Sequence, residues 1–397
     1  RTRIGEGTSM IPKEAEIVII GGGVIGSCTA YFLSKAGREV VLIEKREVGG
    51  EASVANGAFV WTSTRRPGID LTLALASIEL HRQFKEELDD EIEYRRPGGM
   101  IVIENEEQIP KIEAFRKERE KVGFILTPID AKEARSLEPL LSERIVGALY
   151  NPLDGGTNPF QLMVALNRKA IQLGAKVFYH TEVQDIQIEH GQVKGVVTDK
   201  GVIRTSTVIN ACGSWAPFIG KMVGIEVPII PNEMEFVVTE QLPPMVSHII
   251  MGGSYLTEEY GKDEMIANRE KFGTGLCIHQ TASGNLLLGA TWRFVGYDKR
   301  TSYEETVSIA KEVARLFPPL RQVHVIRTFA NFFPFTHDDL PIMGTVEGIE
   351  GFVMAAGHCG HGVCLGPITG KLVSELICTG RTSIPIDELS FSRFAER

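Results

Sequence analysis

Eleven residues near the start, Glu16-Ile-Val-Ile-Ile-Gly-Gly-Gly-Val-Ile-Gly26, constrain this chain more than any other stretch. Glu16 to Ile20 is a short, β-branched apolar run without polar alternation, which predicts a strand buried on both faces. Gly21, Gly23 and Gly26 then supply G-x-G-x-x-G where strand gives way to a helix that opens at Val24 and Ile25 and runs to Ala36. The first glycine permits the tight turn, the second lets backbone approach a pyrophosphate, and the third lets helix pack closely on strand. The helix N-terminus offers amide N–H groups and the positive end of its dipole to phosphate. Val40 to Ile43 reads as a second strand, and Glu44 follows it eighteen residues after Gly26. A carboxylate there can accept both hydroxyls of an adenosine ribose and would repel a 2′-phosphate. Three glycines alone fit any Gly-rich turn; strand, helix, second strand and acid in register make this a dinucleotide site.

Composition limits the alternatives. With 397 residues, 43% of them hydrophobic and 23% charged, the chain is an ordinary globular one of two or three domains. A net charge of -9 argues against a nucleic-acid binder, which needs a basic surface. No apolar run approaches the roughly 18–20 residues of a membrane span, the longest being interrupted at Gly21 to Gly23. The six cysteines, Cys28, Cys212, Cys277, Cys359, Cys364 and Cys378, include no C-x-x-C pair and suit reduced thiols in a cytoplasmic enzyme. Arg1 to Ser9 lack the apolar core of a secretory leader, so Met10 reads as a natural start preceded by a short tail.

Further along, Lys45 to Ala58 is a loop of small residues, among them Ser53, Ala55, Asn56 and Gly57, which can run against a flat ligand or simply over the surface. Helical spacing recurs in Ile69 to Leu88, Ile109 to Val122 and Ala131 to Leu137. Pro97-Gly-Gly99 breaks the chain before Met100 to Ile103, a strand that opens a second domain. Asn158 is an N-cap candidate with Pro159 at N1 of a helix to Leu173. A strand at Ala175 to Tyr179 and an antiparallel meander from Val183 to Ser206 follow. Thr207-Val-Ile-Asn-Ala-Cys-Gly-Ser-Trp-Ala216 is again an apolar strand ending in small residues, a second close approach for a cofactor. Val227 to Glu240, Gly284 to Thr291 and Val323 to Phe335 read as strands, and Tyr303 to Leu316 as an amphipathic helix. The polar stretch Gly252 to Phe272 reads as a lid or partner contact.

Gly351 to Ala356 is a further buried strand that turns through Gly357-His-Cys-Gly-His-Gly362 into a helix reaching Cys378. A helix N-terminus here can stabilise negative charge on the N1/C2=O edge of a flavin as it is reduced. Two widely separated glycine turns favour one long dinucleotide, FAD.

Four segments together resemble the FAD-dependent D-amino-acid oxidase, glycine oxidase and sarcosine oxidase superfamily. They are the N-terminal fingerprint through Glu44 to Ala58, Asp154-Gly-Gly-Thr-Asn-Pro159, Val208-Ile-Asn-Ala-Cys-Gly-Ser-Trp215, and Gly357-His-Cys-Gly-His-Gly-Val-Cys-Leu-Gly-Pro367. Gly289-Ala-Thr-Trp-Arg-Phe-Val-Gly-Tyr-Asp298 and Arg327-Thr-Phe-Ala-Asn331 are most similar to the catalytic β-subunit type of dye-linked proline dehydrogenase, opine oxidase and hydrogen cyanide synthase. The resemblance implies an α/β fold of the glutathione-reductase-2-like type. In it, a Rossmann-like FAD-binding domain (11–92, 152–226 and 335–397) joins a mainly antiparallel α+β substrate domain (93–151 and 227–334). It implies FAD contacts from Gly21, Gly23, Val24, Ile25, Gly26, Glu44, Lys45, Ser53, Ala55, Asn56, Gly57, Val183, Ala211, Cys212, Gly213, Trp215, Gly357, Gly360, His361, Gly362 and Val363.

The departures concern the substrate. The family's carboxylate-binding arginine aligns with Phe333, Asn331 replaces a motif glycine, and Cys364 stands where sarcosine oxidases have a lysine. Arg65, Arg66 and Arg293 are the alternative carboxylate ligands, since a guanidinium suits a bidentate contact; each also reads as a plain surface charge. Trp292 aligns with the residue facing flavin N5. His361 either packs the ring or helps keep the amine neutral; Cys277 and His279 fall at substrate-facing positions, and Cys359 and Cys364 read as packing residues. No counterpart of an oxygen-activating lysine is evident, which favours a second flavoprotein or iron–sulfur subunit as electron acceptor. The implied reaction is oxidation of a secondary or N-substituted amino acid, with hydride passing to the flavin and the imine hydrolysing in water. Three readings compete. An NAD-dependent dehydrogenase leaves Gly357 to Pro367 unexplained. A flavin hydroxylase or a hydroxyacid or glycerol-phosphate dehydrogenase shares the FAD site, but alcohol oxidation needs a base that only His361 could supply. A non-autonomous electron-relay subunit is the third.

Overall fold

Ile17–Ile20 and Val40–Ile43 are buried at every position and pair in parallel, as their unbroken apolar character predicts. The computed structural model describes residues 10–88, 92–257 and 271–394. Lys176–Phe178, Val40–Ile43, Ile17–Ile20, Thr207–Asn210 and Ile349–Ala356 lie side by side and parallel in that order. The order reverses between Ile17–Ile20 and Thr207–Asn210, so a crevice opens at the carboxyl ends of these strands. Gly21, Glu44, Ala211 and Gly357 all leave their strands at that edge. Alternate residues serve opposite cores. Ile17, Ile19, Val40 and Leu42 pack beneath the helices Val24–Lys35, Ile69–Glu87, Pro159–Gln172 and Gly362–Thr379. Val18, Ile20, Val41 and Ile43 pack against the meander Val183–Glu189, Gln192–Thr198, Gly201–Arg204 and the helix Ala216–Met222.

Among the described residues a second sheet has eight strands. Its order is Val325–Phe335, Ile230–Gln241, Asn285–Arg293, Gly273–Gln280, Ile249–Gly252, Gly99–Ile103, Gly147–Asn151 and Thr127–Asp130. Each pairing is antiparallel except Ile249–Gly252 with Gly99–Ile103. The helix Tyr303–Leu316, which Ser302 caps by accepting the Glu305 amide, covers the outer face. A buried carboxylate ties two distant stretches of the chain together. Asp154 accepts the Thr62 amide at 2.6 Å, the Thr62 hydroxyl at 2.7 Å and the Ser63 amide at 3.3 Å, and the Ser63 hydroxyl donates to its other oxygen. Burial still pushes its pKa up to about 6. Beside it, Phe59–Val60 pairs with Gly155–Gly156.

The helices fall where their apolar spacing predicts. Several strands have no such signal: Thr127–Asp130 is exposed at three of its four positions, and Gly147–Asn151, Ile249–Gly252 and Gly273–Gln280 are short or glycine-containing. Their partners, distant in sequence, make them strands. Of Gly252 to Phe272, Ser254–Thr257 forms one helical turn. The residues on which a lid reading rests, 258–270, lie outside the described ones. Among the described residues no helix is long and apolar enough to cross a membrane.

Candidate active site

The crevice is a cavity of about 530 Å³ that runs from Glu44 and Lys45, past both glycine turns, to the inner face of the second sheet. At its first turn Gly21 has φ 108°, and a Cβ there would lie 2.6 Å from the Ala211 carbonyl oxygen. A Cβ on Gly23 would lie 2.9 Å from Ser53 Oγ, which itself accepts the Val24 amide at 3.0 Å. A side chain on Gly26 would overlap the Gly21 carbonyl. This cradle admits backbone but no side chain, as close approach to a pyrophosphate requires. Glu44 accepts the Gly22 amide at 2.7 Å through Oε2 and the Arg46 amide at 2.8 Å through Oε1. Each carboxylate oxygen retains lone-pair capacity for a ribose hydroxyl.

The last helix, Gly362–Thr379, brings a second N-terminus to the same cavity. Its first residues Gly362 and Val363 line the wall, and no side chain caps it. It packs closely on Val24–Lys35 because Gly366 and Gly370 face that helix; a Cβ on Gly370 would lie 2.5 Å from the Cys28 carbonyl carbon. Two positive helix ends therefore converge on one cavity, an arrangement that favours an anionic ligand.

Gly21, Gly23, Val24, Ile25, Glu44, Lys45, Ser53, Asn56, Gly57, Val183, Ala211, Cys212, Gly213, Trp215, Gly360, His361, Gly362 and Val363 line this cavity. Gly26, Ala55 and Gly357 do not. Gly26 lies under the first turn, and Gly357, at φ 76°, turns the chain against Thr336. Asn56 holds its loop by donating to the carbonyls of Ala52 and Ser53 and accepting the Ala58 amide.

Beyond the turns the walls are Met234, Phe236, Ala290 and Phe333 from the second sheet, with Met251, Tyr255, Cys277, Phe59, Trp61 and Thr64. Cys277, Phe333 and His361 are thus brought together. Trp292 stands one turn of the pleat from Ala290, off the wall, with its ring edge-to-face to Tyr255 at 5.5 Å. His279 sits behind Gly57, its Nδ1 3.2 Å from that carbonyl, and burial pushes its pKa down to about 4. Asn331 turns its Oδ1 to the Phe332 amide at 2.7 Å. Arg293 lies on the opposite face, its Nε 3.0 Å from Glu233 and 3.1 Å from Glu305. Arg66 is exposed and donates to the Asp338 carbonyl. Arg65 is 4% exposed and reaches Asp70 at 3.5 Å and Thr64 at 3.2 Å, and its Nε has no hydrogen-bond partner among the described residues. Its charge acts on Tyr255 and Cys364, both wall residues.

His358 is a wall residue that the motif reading passed over for His361. It is buried with Nε2 2.9 Å from Thr369 Oγ1, and burial pushes its pKa down to about 3. Cys277 and Cys364 are pushed up to about 12 by burial, so neither supplies a thiolate. Met234 and Phe236 were also missed; two-residue alternation along Ile230–Gln241 is the signal that places them on one face. Nothing in the sequence marks Tyr255.

Comparison with known proteins accounts for this constellation. The family model described as FAD dependent oxidoreductase (DAO) matches residues 16–376. The chain belongs to that family. It is 28% identical over 428 residues to hydrogen cyanide synthase subunit HcnC of Pseudomonas protegens, covering 96% of this chain and 97% of that protein. It is also 28% identical to the glycine oxidase of Geobacillus kaustophilus, covering 95% of this chain and 97% of the other. Among solved structures, the L-proline dehydrogenase from P. horikoshii superposes with a TM-score of 0.87 at 29% identity, covering 97% of this chain and 99% of that one. The FAD oxidoreductase therefore has the mixed α/β fold of these flavoproteins, and its cradle of glycines and helix ends fits the FAD they bind.

Proposed function

We propose that this FAD oxidoreductase oxidises the C–N bond of a secondary or N-substituted amino acid, proline-like, sarcosine- or glycine-like, or an opine. The observation that carries the reading is the composition of the cavity. One end has a ribose-accepting carboxylate and two helix N-termini, and the other a largely apolar roof, with a wall histidine, His358, that stays uncharged at neutral pH. An amine that binds neutral needs no strong base to lose hydride, whereas an alcohol does. The names of the relatives, glycine oxidase and L-proline dehydrogenase among them, support the same class.

Glu44 would hold the adenosine ribose, Gly21 to Ile25 the pyrophosphate, and Gly360 to Val363 the polar edge of the flavin, with 11–92, 152–226 and 335–397 as the FAD half. Bound FAD supplies the two-electron acceptor for hydride. The protein's own contribution is orientation and exclusion of water. Phe236, Phe333, Met234 and Tyr255 shape the roof over the amine, and His361 at the helix end faces the same space. Arg65, buried with an unpartnered Nε, would take the substrate carboxylate in place of the arginine and lysine replaced by Phe333 and Cys364. Electrons would leave to a second flavoprotein or iron–sulfur subunit rather than to O2. Six free cysteines suit a cytoplasmic setting. Anaerobic addition of proline, hydroxyproline, sarcosine and opines to the purified flavoprotein tests this reading through loss of the flavin's visible absorption.

A further inference from the structure

The roof strand Ile230–Gln241 carries Met234 and Phe236 into the cavity, so by the pleat Glu233 and Glu235 point the other way. Both are fully buried there, together with Glu305 from the covering helix. One oxygen from each of the three carboxyl groups lies within 4.8 Å of the others. Buried carboxylates this close are a poor arrangement unless something positive lies among them. Among the described residues Arg293 is the one guanidinium in contact, bridging Glu233 and Glu305, so three ionised carboxylates set against it leave two negative charges without a counterpart there.

Hydrogen bonding leaves the same gap. Glu235 accepts the Ser302 amide at 2.8 Å and the Thr306 hydroxyl at 2.5 Å. Glu305 accepts the Thr291 hydroxyl at 2.7 Å and the Ser302 hydroxyl at 3.0 Å. Glu233 receives Arg293 on Oε2, but its Oε1 is buried without a hydrogen-bond partner among the described residues. An orphaned carboxylate oxygen in a buried cluster costs its full desolvation unless a ligand meets it.

We infer that Glu233, Glu235 and Glu305 form a binding site for one divalent cation behind the substrate roof. The charge arithmetic closes with a dication, and the donors are all carboxylate and hydroxyl oxygens, which select hard ions such as Ca2+, Mg2+ or Mn2+. A bound ion would clamp the roof strand to the helix Tyr303–Leu316 from the side away from FAD. The site is independent of the substrate reading.

The test is made on the purified holoenzyme by thermal unfolding and metal analysis. Addition of Ca2+, Mg2+ or Mn2+ after chelator treatment should raise the Tm saturably by a few degrees, with about one ion bound per chain. Glu305→Gln should abolish that shift while the flavin spectrum is retained. A wild-type Tm indifferent to chelator and to all three cations, with no bound metal, would overturn the proposal and leave protons as the neutralising charge. Should Glu305→Gln fail to fold, the wild-type titration decides alone.

Discussion

The Gly22 amide donates to Glu44 Oε2 at 2.7 Å, so the carboxylate after the second strand is fastened to the glycine turn after the first. One side chain therefore sets the turn and lines the end of the cavity proposed for the ribose. Glu44→Ala removes both functions. With charged hydrogen bonds worth about 1.5–3 kcal/mol, FAD should bind roughly 10- to 150-fold more weakly. Fluorescence titration of the apoprotein with FAD measures this, and unchanged affinity would remove Glu44 from the site.

Helix packing should control flavin retention as well as stability. In Gly370→Ala the new methyl meets Cys28 backbone at 2.5 Å, which cannot yield easily. In Gly366→Ala it meets a Val24 side-chain carbon at 3.0 Å, which can. Overpacking of this kind costs about 1–3 kcal/mol, so Gly370→Ala should show the larger fall in Tm and the larger loss of FAD on gel filtration. Equal effects would argue against close helix approach as the device that aims both N-termini.

Acid should destabilise the protein through its buried histidines. Burial pushes His81 and His279 down to about 4 and His358 down to about 3, from an ordinary 6.5. The unfolded chain then takes up protons that the folded chain refuses, so stability is full above pH 6.5 and is lost as pH falls through that window. Asp154 works oppositely. Its pKa is raised from 3.8 to about 6, so its contribution is fully present below 3.8 and is lost as pH rises through 6. Glu233, raised from 4.5 to about 8, and Glu235 act in the same sense as Asp154 and offset much of the histidine effect, so the fall in Tm is modest and concentrated between pH 6.5 and 5, measurable by thermal melts from pH 7.5 to 5. A Tm that rises over that range would contradict the burial of these groups.

What the sequence disclosed, and what it did not, follows from how local each constraint is. Gly21, Gly23, Gly26 and Glu44 were legible because a phosphate-binding turn imposes backbone demands at fixed spacing within one βαβ unit. The helix Tyr303–Leu316 was legible from its apolar period, and Asn158 and Ser302 lie at helix starts for reasons a few residues long. Gly273 and Gly275 look like turn residues, yet they lie within a strand and make room for the Trp292 ring; that reason sits on the neighbouring strand. The orientation of Arg293 depends on strand parity and on Glu305, which belongs to another element. Arg65 reads as surface charge until the fold buries it. Side-chain roles in the substrate half depend on such long-range packing, and short motifs carry no record of it.

Arg65 should act on substrates that carry a carboxylate and on no others. Arg65→Lys keeps the buried charge opposite Asp70 but loses the planar fork. The KM for an amino acid should rise roughly tenfold or more, with little change in kcat. An amine lacking the carboxylate should be oxidised as by the parent enzyme. Equal losses for both compounds would assign Arg65 a purely structural part with Asp70.

The central claim is that this cavity passes hydride from a carbon beside nitrogen to bound FAD, and anaerobic reduction tests it most directly. Proline, hydroxyproline, sarcosine and an opine are added in turn to the air-free holoenzyme, alongside the matching hydroxy acids. The account predicts that at least one of the amines bleaches the flavin, that the hydroxy acids leave it yellow, and that readmitted air restores the colour only slowly. Bleaching by a hydroxy acid or alcohol with none by any amine would contradict it.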